Sequence, residues 1–295
     1  MSDRYLQLDV FANRLGGGNP LGVVVDAAAW SATQMQAFAS WTNLVETTFV
    51  LPPTDRSADY RLRIFTPKRE IAFAGHPTIG SAHALLELGV VTPRDGQLIQ
   101  QCEAGLLPIR IQTHADRSDL FVRAPQAHVL ATGIDAHPQL APLLTGIPLG
   151  RLQPAFVEGG RRWWVAEIAD EATLRGWHPD HAAIRALALA SDSLGLCVFA
   201  RSQTAGEVVV RAFPAGAGIV EDPASGAANG LIAAYIRHSD PTGPLAEGYR
   251  VSQGREIGRD ARILVEIEDE RAIWVGGTTH TIISGHTHWA TQTRV

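Results

Sequence analysis

Alternation of apolar and polar positions runs through much of the chain. The segment Y-L-Q-L-D-V-F near the start has the period of two expected of a strand with one face on a core. N-R-L-G-G-G-N-P then reads as a loop and L-G-V-V-V as a second strand. Ser31 stands where an N-cap belongs, ahead of a helix predicted over residues 32–42. In N-L-V-E-T-T-F-V-L, Glu46 starts a strand rich in Thr, Phe and Val. Y-R-L-R-I-F-T-P, L-P-I-R-I-Q-T and L-F-V-R-A follow as strands. In the second half R-R-W-W-V-A-E-I, L-G-L-C-V-F-A, E-V-V-V-R-A-F-P, R-I-L-V-E-I and A-I-W-V-G-G read as strands, and residues 170–190 as helical. Many strands with few helices between them predict an α+β fold with antiparallel or mixed sheets, not a doubly wound parallel one.

The pattern recurs. R-I-F-T-P-K-R-E-I-A-F-A-G-H-P-T-I-G-S-A-H-A-L-L matches R-A-F-P-A-G-A-G-I-V-E-D-P-A-S-G-A-A-N-G-L-I, with two single-residue gaps. Arg63 meets Arg211, Phe65 meets Phe213, Pro67 meets Pro214, His76-Pro77 meets Asp222-Pro223 and Gly80 meets Gly226. Each copy reads as strand, sharp turn and helix, so two similar domains are expected. The polar stretch T-H-A-D-R-S-D at 113–119 suggests the border, giving lobes at 1–118 and 119–283. Both repeat helices are small or apolar nearly all round. A surface helix needs a polar face, so each is predicted to be buried. Glycine inside such a helix costs about 1 kcal/mol against Ala, tolerable where the backbone must approach something closely.

Composition narrows the class. The chain has 295 residues, enough for one large domain or two smaller ones, with 45% hydrophobic and 19% charged residues, as in an ordinary soluble protein. A net charge of −5 without a dense basic patch argues against nucleic acid as a partner. No run approaches the ~18 apolar residues of a membrane span. Two cysteines, Cys102 and Cys197, and an N-terminus that begins a strand at once point to a reducing, cytoplasmic setting.

The turns before the two buried helices are the candidate chemistry. The first amides of a helix are unpaired donors, and its dipole adds partial positive charge there. A helix that begins at a glycine-containing turn can therefore hold an anion, either a substrate carboxylate or charge that develops during proton abstraction. Gly-His-Pro and Asp-Pro-Ala are also ordinary turn material, and Asp222 could simply be an N-cap. The repeat places a titratable side chain in each turn, which fits paired acid/base work. Other sites are weaker. His286 and His288 share a strand face without a third metal ligand nearby. His178 and His181 read as a helix start. Gly16 to Gly18 lack a nucleotide-binding pattern. Arg161, Arg162, Trp163 and Trp164 are strand residues whose outward members could line a cleft.

The segments V-E-T-T-F, R-I-F-T-P-K-R-E-I-A-F-A-G-H-P-T-I-G and E-D-P-A-S-G-A-A-N-G resemble the phenazine-biosynthesis PhzF-like family, with G-G-G-N-P near the start and S-Q-G-R-E-I-G-R near the end. The resemblance covers nearly the whole chain in the right order. It implies a diaminopimelate-epimerase-like fold of two pseudo-symmetric lobes. Each would wrap a curled mixed sheet around a central buried helix, with the active site in the cleft between lobes. It also implies a C-terminal tail, about 284–295, that returns to the first lobe, and often a homodimer.

Related epimerases and racemases carry a cysteine at each helix mouth. Here neither turn has one, so two-cysteine racemisation is not expected. The resemblance implies instead a catalytic glutamate at Glu46, with site roles for His76 and Asp222. Gly75, Pro77 and Thr78 in the first turn, and Ser225, Gly226 and Ala227 in the second, would bind substrate. Ala227 stands where the family often has a serine, so one hydrogen-bond donor is missing unless Ser225 compensates.

The expected activity is a cofactor-free, metal-free isomerase of a small carboxylate, similar to trans-2,3-dihydro-3-hydroxyanthranilate isomerase. Glu46 would move the proton, partly desolvated and with a raised pKa. Two alternatives stay open: an epimerase or racemase of an amino or hydroxy acid with Glu46 as single base, and a metabolite-binding protein of the same fold without turnover.

Overall fold

The computed structural model describes residues 3–115 and 117–289. The chain divides into two compact units, Met1–Arg123 with Gly276–Val295, and Ala124–Val275.

The first unit contains β1 (Asp3–Val10), β2 (Asn19–Val25), α1 (Ala32–Thr42), β3 (Glu46–Leu51), β4 (Tyr60–Phe65), a short β5 (Glu70–Ile71), α2 (Gly75–Glu87), β6 (Gln97–Cys102), β7 (Gly105–Thr113) and β8 (Ser118–Arg123). The alternation in β1 does what its period requires: Leu6, Leu8 and Val10 are buried. Ser31 caps α1 with its hydroxyl on the Gln34 N–H, while the Gln34 side chain accepts from the Ser31 N–H at 2.8 Å, a reciprocal capping box.

The second unit contains β9 (His128–Thr132), α3 (Leu140–Leu144), β10 (Ala155–Gly159), β11 (Arg161–Glu167), α4 (Glu171–Gly176), α5 (His181–Ala190), β12 (Gly195–Arg201), β13 (Glu207–Phe213), α6 (Gly226–Ser239), β14 (Gly248–Gln253) and β15 (Ala261–Asp269). The stretch 170–190, expected to be helical with a helix start at His178 and His181, is two helices, the second beginning at His181. Pro179 disfavours helix at the residue before it, and Asp180 then caps α5 by accepting from the Ala182 and Ala183 N–H groups. The final strand, β16 (Ala272–Thr287), begins in this unit and ends in the first. There it pairs antiparallel with β1, from Val10↔Thr279 to Asp3↔Thr287, and neighbours β8.

Pairing directions repeat between the units. β1–β2 is antiparallel, β2–β3 parallel, β3–β4 antiparallel, β4–β6 parallel and β6–β7 antiparallel. The same succession runs through β10–β11, β11–β12, β12–β13, β13–β14 and β14–β15. A parallel pair needs a crossover, and helices supply it at each parallel step. The sheets are therefore mixed, with few helices.

The matched arginines also make matched contacts. Arg63 reaches Glu70 with two hydrogen bonds of 2.7 and 2.6 Å, and its guanidinium lies 5.2 Å from the centre of the Phe65 ring. Arg211 reaches Glu221 at 2.9 and 2.8 Å and lies 5.1 Å from Phe213. Both are fork-to-fork pairs under a cation–π contact. They differ in burial: side-chain exposures are 27% and 32% in the first unit, 6% and 4% in the second.

α2 and α6 are buried along most of their length, from His76 to Leu85 and from Ala228 to Ile236. α2 packs on β1, β2, β3, β4 and β8; α6 packs on β9, β10, β11, β12 and β15. The close approach explains Gly80, where an added Cβ would sit 2.4 Å from Leu21 Cδ2 and 2.8 Å from Val10 Cγ2.

The unit borders fall at Arg123/Ala124 and Val275/Gly276, rather than at the 118/119 and 283/284 positions expected from sequence. The polar residues 113–119 make the hairpin joining β7 to β8, with Thr113 paired to Ser118 and the His114 N–H on the Arg117 carbonyl at 2.8 Å. The chain is still inside one sheet there. Of the tail expected at 284–295, residues 290–295 lie outside the described residues. Among the described residues no helix is long and apolar enough to cross a membrane.

Candidate active site

Glu46 is the first residue of β3 and pairs in parallel register with Leu21 on β2. The glycine-rich loop ahead of β2 delivers Asn19 and Pro20 to the same sheet end. His76 sits in the first turn of α2. The Pro20 carbonyl accepts a hydrogen bond from its imidazole, and its Nε2 lies 3.3 Å from Glu46 Oε2. Both side chains are nearly buried, at 7% and 12% exposure.

Two polar contacts fix α2 against the strands that carry these groups. Ser81 Oγ on α2 is 2.8 Å from Thr48 Oγ1, two residues beyond Glu46. Thr78 Oγ1 accepts from Gln100 Nε2 at 3.1 Å, and Gln100 Oε1 accepts from the Tyr60 hydroxyl at 3.0 Å. Each pins the helix to a different strand, so the Glu46–His76 separation is set by the packing and not by two mobile side chains.

The contact is not an ion pair. Burial pushes the His76 pKa down to about 3, outweighing the Pro20 hydrogen bond that raises it. The imidazole is therefore neutral at ordinary pH. A carbonyl can only accept, so Nδ1 carries the ring proton toward Pro20 and Nε2 presents its lone pair to Glu46.

No side chain caps α2 at Ala74. Its first amides, Gly75 and His76, lie at the positive end of a thirteen-residue helix, where the dipole favours negative charge.

In the second unit Asp222 precedes α6 but does not cap it. Ser225 is the N-cap, its hydroxyl accepting from the Ala228 N–H. Asp222 is held as an isolated bridge to β13, its N–H on the Ala212 carbonyl at 2.9 Å. Its Oδ1 accepts from the Ala224 N–H at 3.1 Å. Burial lifts its pKa to about 6, against the lowering effect of hydrogen bonds from the Ala224 N–H and the Ser225 hydroxyl; nearby Glu221 adds to the rise. The Ser225 hydroxyl is thus already engaged by Asp222 and by the helix start.

The remaining sequence candidates take structural places. Trp163 and Trp164 are both buried, and Trp164 Nε1 donates to Ser191 Oγ at 3.0 Å; neither points outward. Arg162 pairs with Asp192 and Glu158. Cys197 is buried in β12 and Cys102 half-buried in β6, and burial pushes both thiols up, away from the thiolate. Among the described residues no group of three or more His, Cys, Asp or Glu side chains is placed to hold a metal. A concavity of about 620 Å³ bordered by Gln36, Phe65, Lys68 and Arg69 in the first unit includes neither Glu46 nor His76.

Sequence reasoning missed Pro20, whose carbonyl orients His76, and Gln253, which braces the Asp222 turn. Both lie in quoted motifs, G-G-G-N-P and S-Q-G-R-E-I-G-R. A strand-end carbonyl and a buried amide have no titration signature, so only their neighbours reveal them.

Residues 8–285 match the family model PhzC-PhzF, phenazine biosynthesis-like protein. The chain is 36% identical over 290 residues to antisense-enhancing sequence 1 of Schizosaccharomyces pombe, covering 95% of this chain and 97% of that one. It is 34% identical over 268 residues to trans-2,3-dihydro-3-hydroxyanthranilate isomerase of Pseudomonas aeruginosa, covering 90% of each. The solved PhzF-family protein of Bacillus anthracis shares the fold with a TM-score of 0.81 at 24% identity, covering 97% of this chain and 99% of that one. The chain belongs to the phenazine biosynthesis-like PhzF family and is an isomerase.

Proposed function

We propose that this protein is a cofactor-independent isomerase that moves a proton on a small unsaturated carboxylate, with Glu46 as the group that removes and returns it. The observation that carries this reading is the 3.3 Å contact between Glu46 and a neutral, buried His76. His76 places no positive charge beside Glu46, so as carboxylate Glu46 can take a proton from a substrate carbon and as acid return it. Asp222, with a pKa lifted to about 6, is the second titratable group of the reaction, able to bind and polarise the substrate in either protonation state. The Gly75 and His76 amides at the uncapped start of α2 bind the substrate carboxylate or the enolate-like charge. Thr78, beside Pro77 in the same turn, aligns that helix start through Gln100. Gly226 and Ala227 supply the equivalent amides at α6, beyond the Ser225 cap.

We read each unit as a curled sheet about its central helix, a pseudo-symmetric pair of lobes. We also propose that the protein acts as a homodimer. The substrate named for the Pseudomonas aeruginosa relative, trans-2,3-dihydro-3-hydroxyanthranilate, is the first candidate.

Incubation with that compound in deuterated water, followed by proton NMR, tests the reading. Wild type is expected to incorporate deuterium during isomerisation, and Glu46→Gln to slow it by at least about 10²-fold, the scale of a lost general base. A Glu46→Gln enzyme that exchanges at the wild-type rate overturns the assignment. Inversion at the exchanging carbon without allylic rearrangement would replace isomerisation by epimerisation and leave Glu46 as base.

A further inference from the structure

We propose that Gln253 is a positioning residue that sets the location of the Asp222 carboxyl. The role rests on Asp222 acting in the reaction as described above.

Gln253 ends β14 and is fully buried. A buried primary amide must satisfy two N–H donors and a carbonyl oxygen, and here its partners converge on one turn. Its Nε2 donates to the Asp222 carbonyl at 2.8 Å. Its Oε1 accepts from the Ser225 N–H at 3.3 Å and from Asn229 Nδ2 at 2.9 Å. Asn229 Nδ2 also donates to the Ser225 carbonyl at 2.8 Å. The network admits one orientation of the amide, because a flipped group would aim N–H bonds at two other donors. The next residue tightens the contact: Gly254, at φ +91°, passes so near that an added Cβ would lie 2.6 Å from the Pro223 carbonyl oxygen.

The hold on Asp222 is two-sided. Its N–H is fixed by the β13 backbone through Ala212. The preceding residue, Glu221, is clamped by Arg211 at 2.8 and 2.9 Å. Its carbonyl is fixed by Gln253. The bonds that Gln253 makes at Asp222 and Ser225 bracket Pro223 and Ala224, and the Ala224 N–H is one donor on the Asp222 carboxyl, beside the Ser225 hydroxyl. Without Gln253 the segment loses its brace toward β14, and the carboxyl moves with the Ala224 amide. A displacement of ~1 Å at a reacting group costs about 10²-fold in rate.

Gln253→Met keeps the shape of the side chain and removes every hydrogen bond. The expected result is a folded protein whose crystal structure shows the Asp222 carboxyl displaced by ~1 Å, the distance at which rate falls about 10²-fold. An Asp222 carboxyl at its original place overturns the proposal whether or not a substrate is known. With trans-2,3-dihydro-3-hydroxyanthranilate as probe, kcat is expected to fall about 10²-fold while KM stays within about threefold, because the lost alignment acts on the chemical step. Gln253→Glu, whose protonated form can donate to the Asp222 carbonyl, is expected to recover at least part of the rate. Coupling decides between positioning and general destabilisation. In an Asp222→Asn background Gln253→Met should have no further effect on kcat, whereas an equal loss in both backgrounds overturns the proposal. Wild-type turnover by Asp222→Asn would instead remove Asp222 from the reaction, and the role of Gln253 with it.

Discussion

Replacing Asp222 by Asn is expected to stabilise the protein progressively as pH rises. In the unfolded chain an aspartate titrates near 3.9. In the folded chain burial lifts Asp222 to about 6, more than its hydrogen bonds from Ala224 and Ser225 lower it. Between those values the unfolded chain has released the proton and the native state keeps it, so the native state binds more protons and stability falls with rising pH. The contribution is fully present below the unfolded value and is gone above the folded one. At 1.36 kcal/mol per pKa unit, the loss is about 3 kcal/mol. Asparagine is neutral throughout and keeps an oxygen for the Ala224 N–H. Its advantage over the native residue therefore consists of a constant offset plus a gain growing to about 3 kcal/mol between pH ~4 and pH ~8. Urea unfolding of both proteins across that range measures the growth and ignores the offset. A stability difference that stays constant from acid to neutral pH refutes the reasoning, for it would mean that Asp222 ionises as easily in the fold as in water.

Two stability comparisons test other parts of the architecture. Arg211→Met leaves Glu221 buried at 4% exposure without its partner and is expected to cost about 3–5 kcal/mol, while Arg63→Met at the half-buried equivalent pair costs about 1 kcal/mol or less. Equal losses by chemical denaturation would show that burial does not separate the two. Gly80→Ala should destabilise by about 1–3 kcal/mol through overpacking against Leu21 and Val10, opposite in sign to the gain of about 1 kcal/mol expected from helix propensity alone. A raised melting temperature for this variant would contradict the close approach of α2 to β1 and β2.

Much of the local structure was legible because short-range rules decide it. Ser31 caps α1 as its position predicted, and Glu46 starts its strand. The apolar composition of the two repeat helices announced their burial. The stretch 170–190 is helical as expected but interrupted near Pro179, and its second helix starts at His181, inside the H-P-D-H segment read as a helix start. The domain border was misread at 113–119 because a polar hairpin and a polar linker have the same composition. Asp222 was open as an N-cap, and the structure gives that place to Ser225. An aspartate ahead of a proline satisfies the preferences of either position, so only the backbone path decides.

The sequence by itself determined the strands and helices, the repeat, the family motifs and the residue types that could move a proton. These follow from periodicity and side-chain chemistry over a few neighbouring positions. The tertiary structure alone decided what those residues do to one another. It brought Glu46 of β3 within 3.3 Å of His76 on α2 and turned the imidazole toward Pro20. It desolvated the half-buried Asp222 until its carboxyl resists ionisation, and it braced that turn with an amide from β14. Desolvation and hydrogen-bond direction depend on residues distant in the chain, and no local pattern records them.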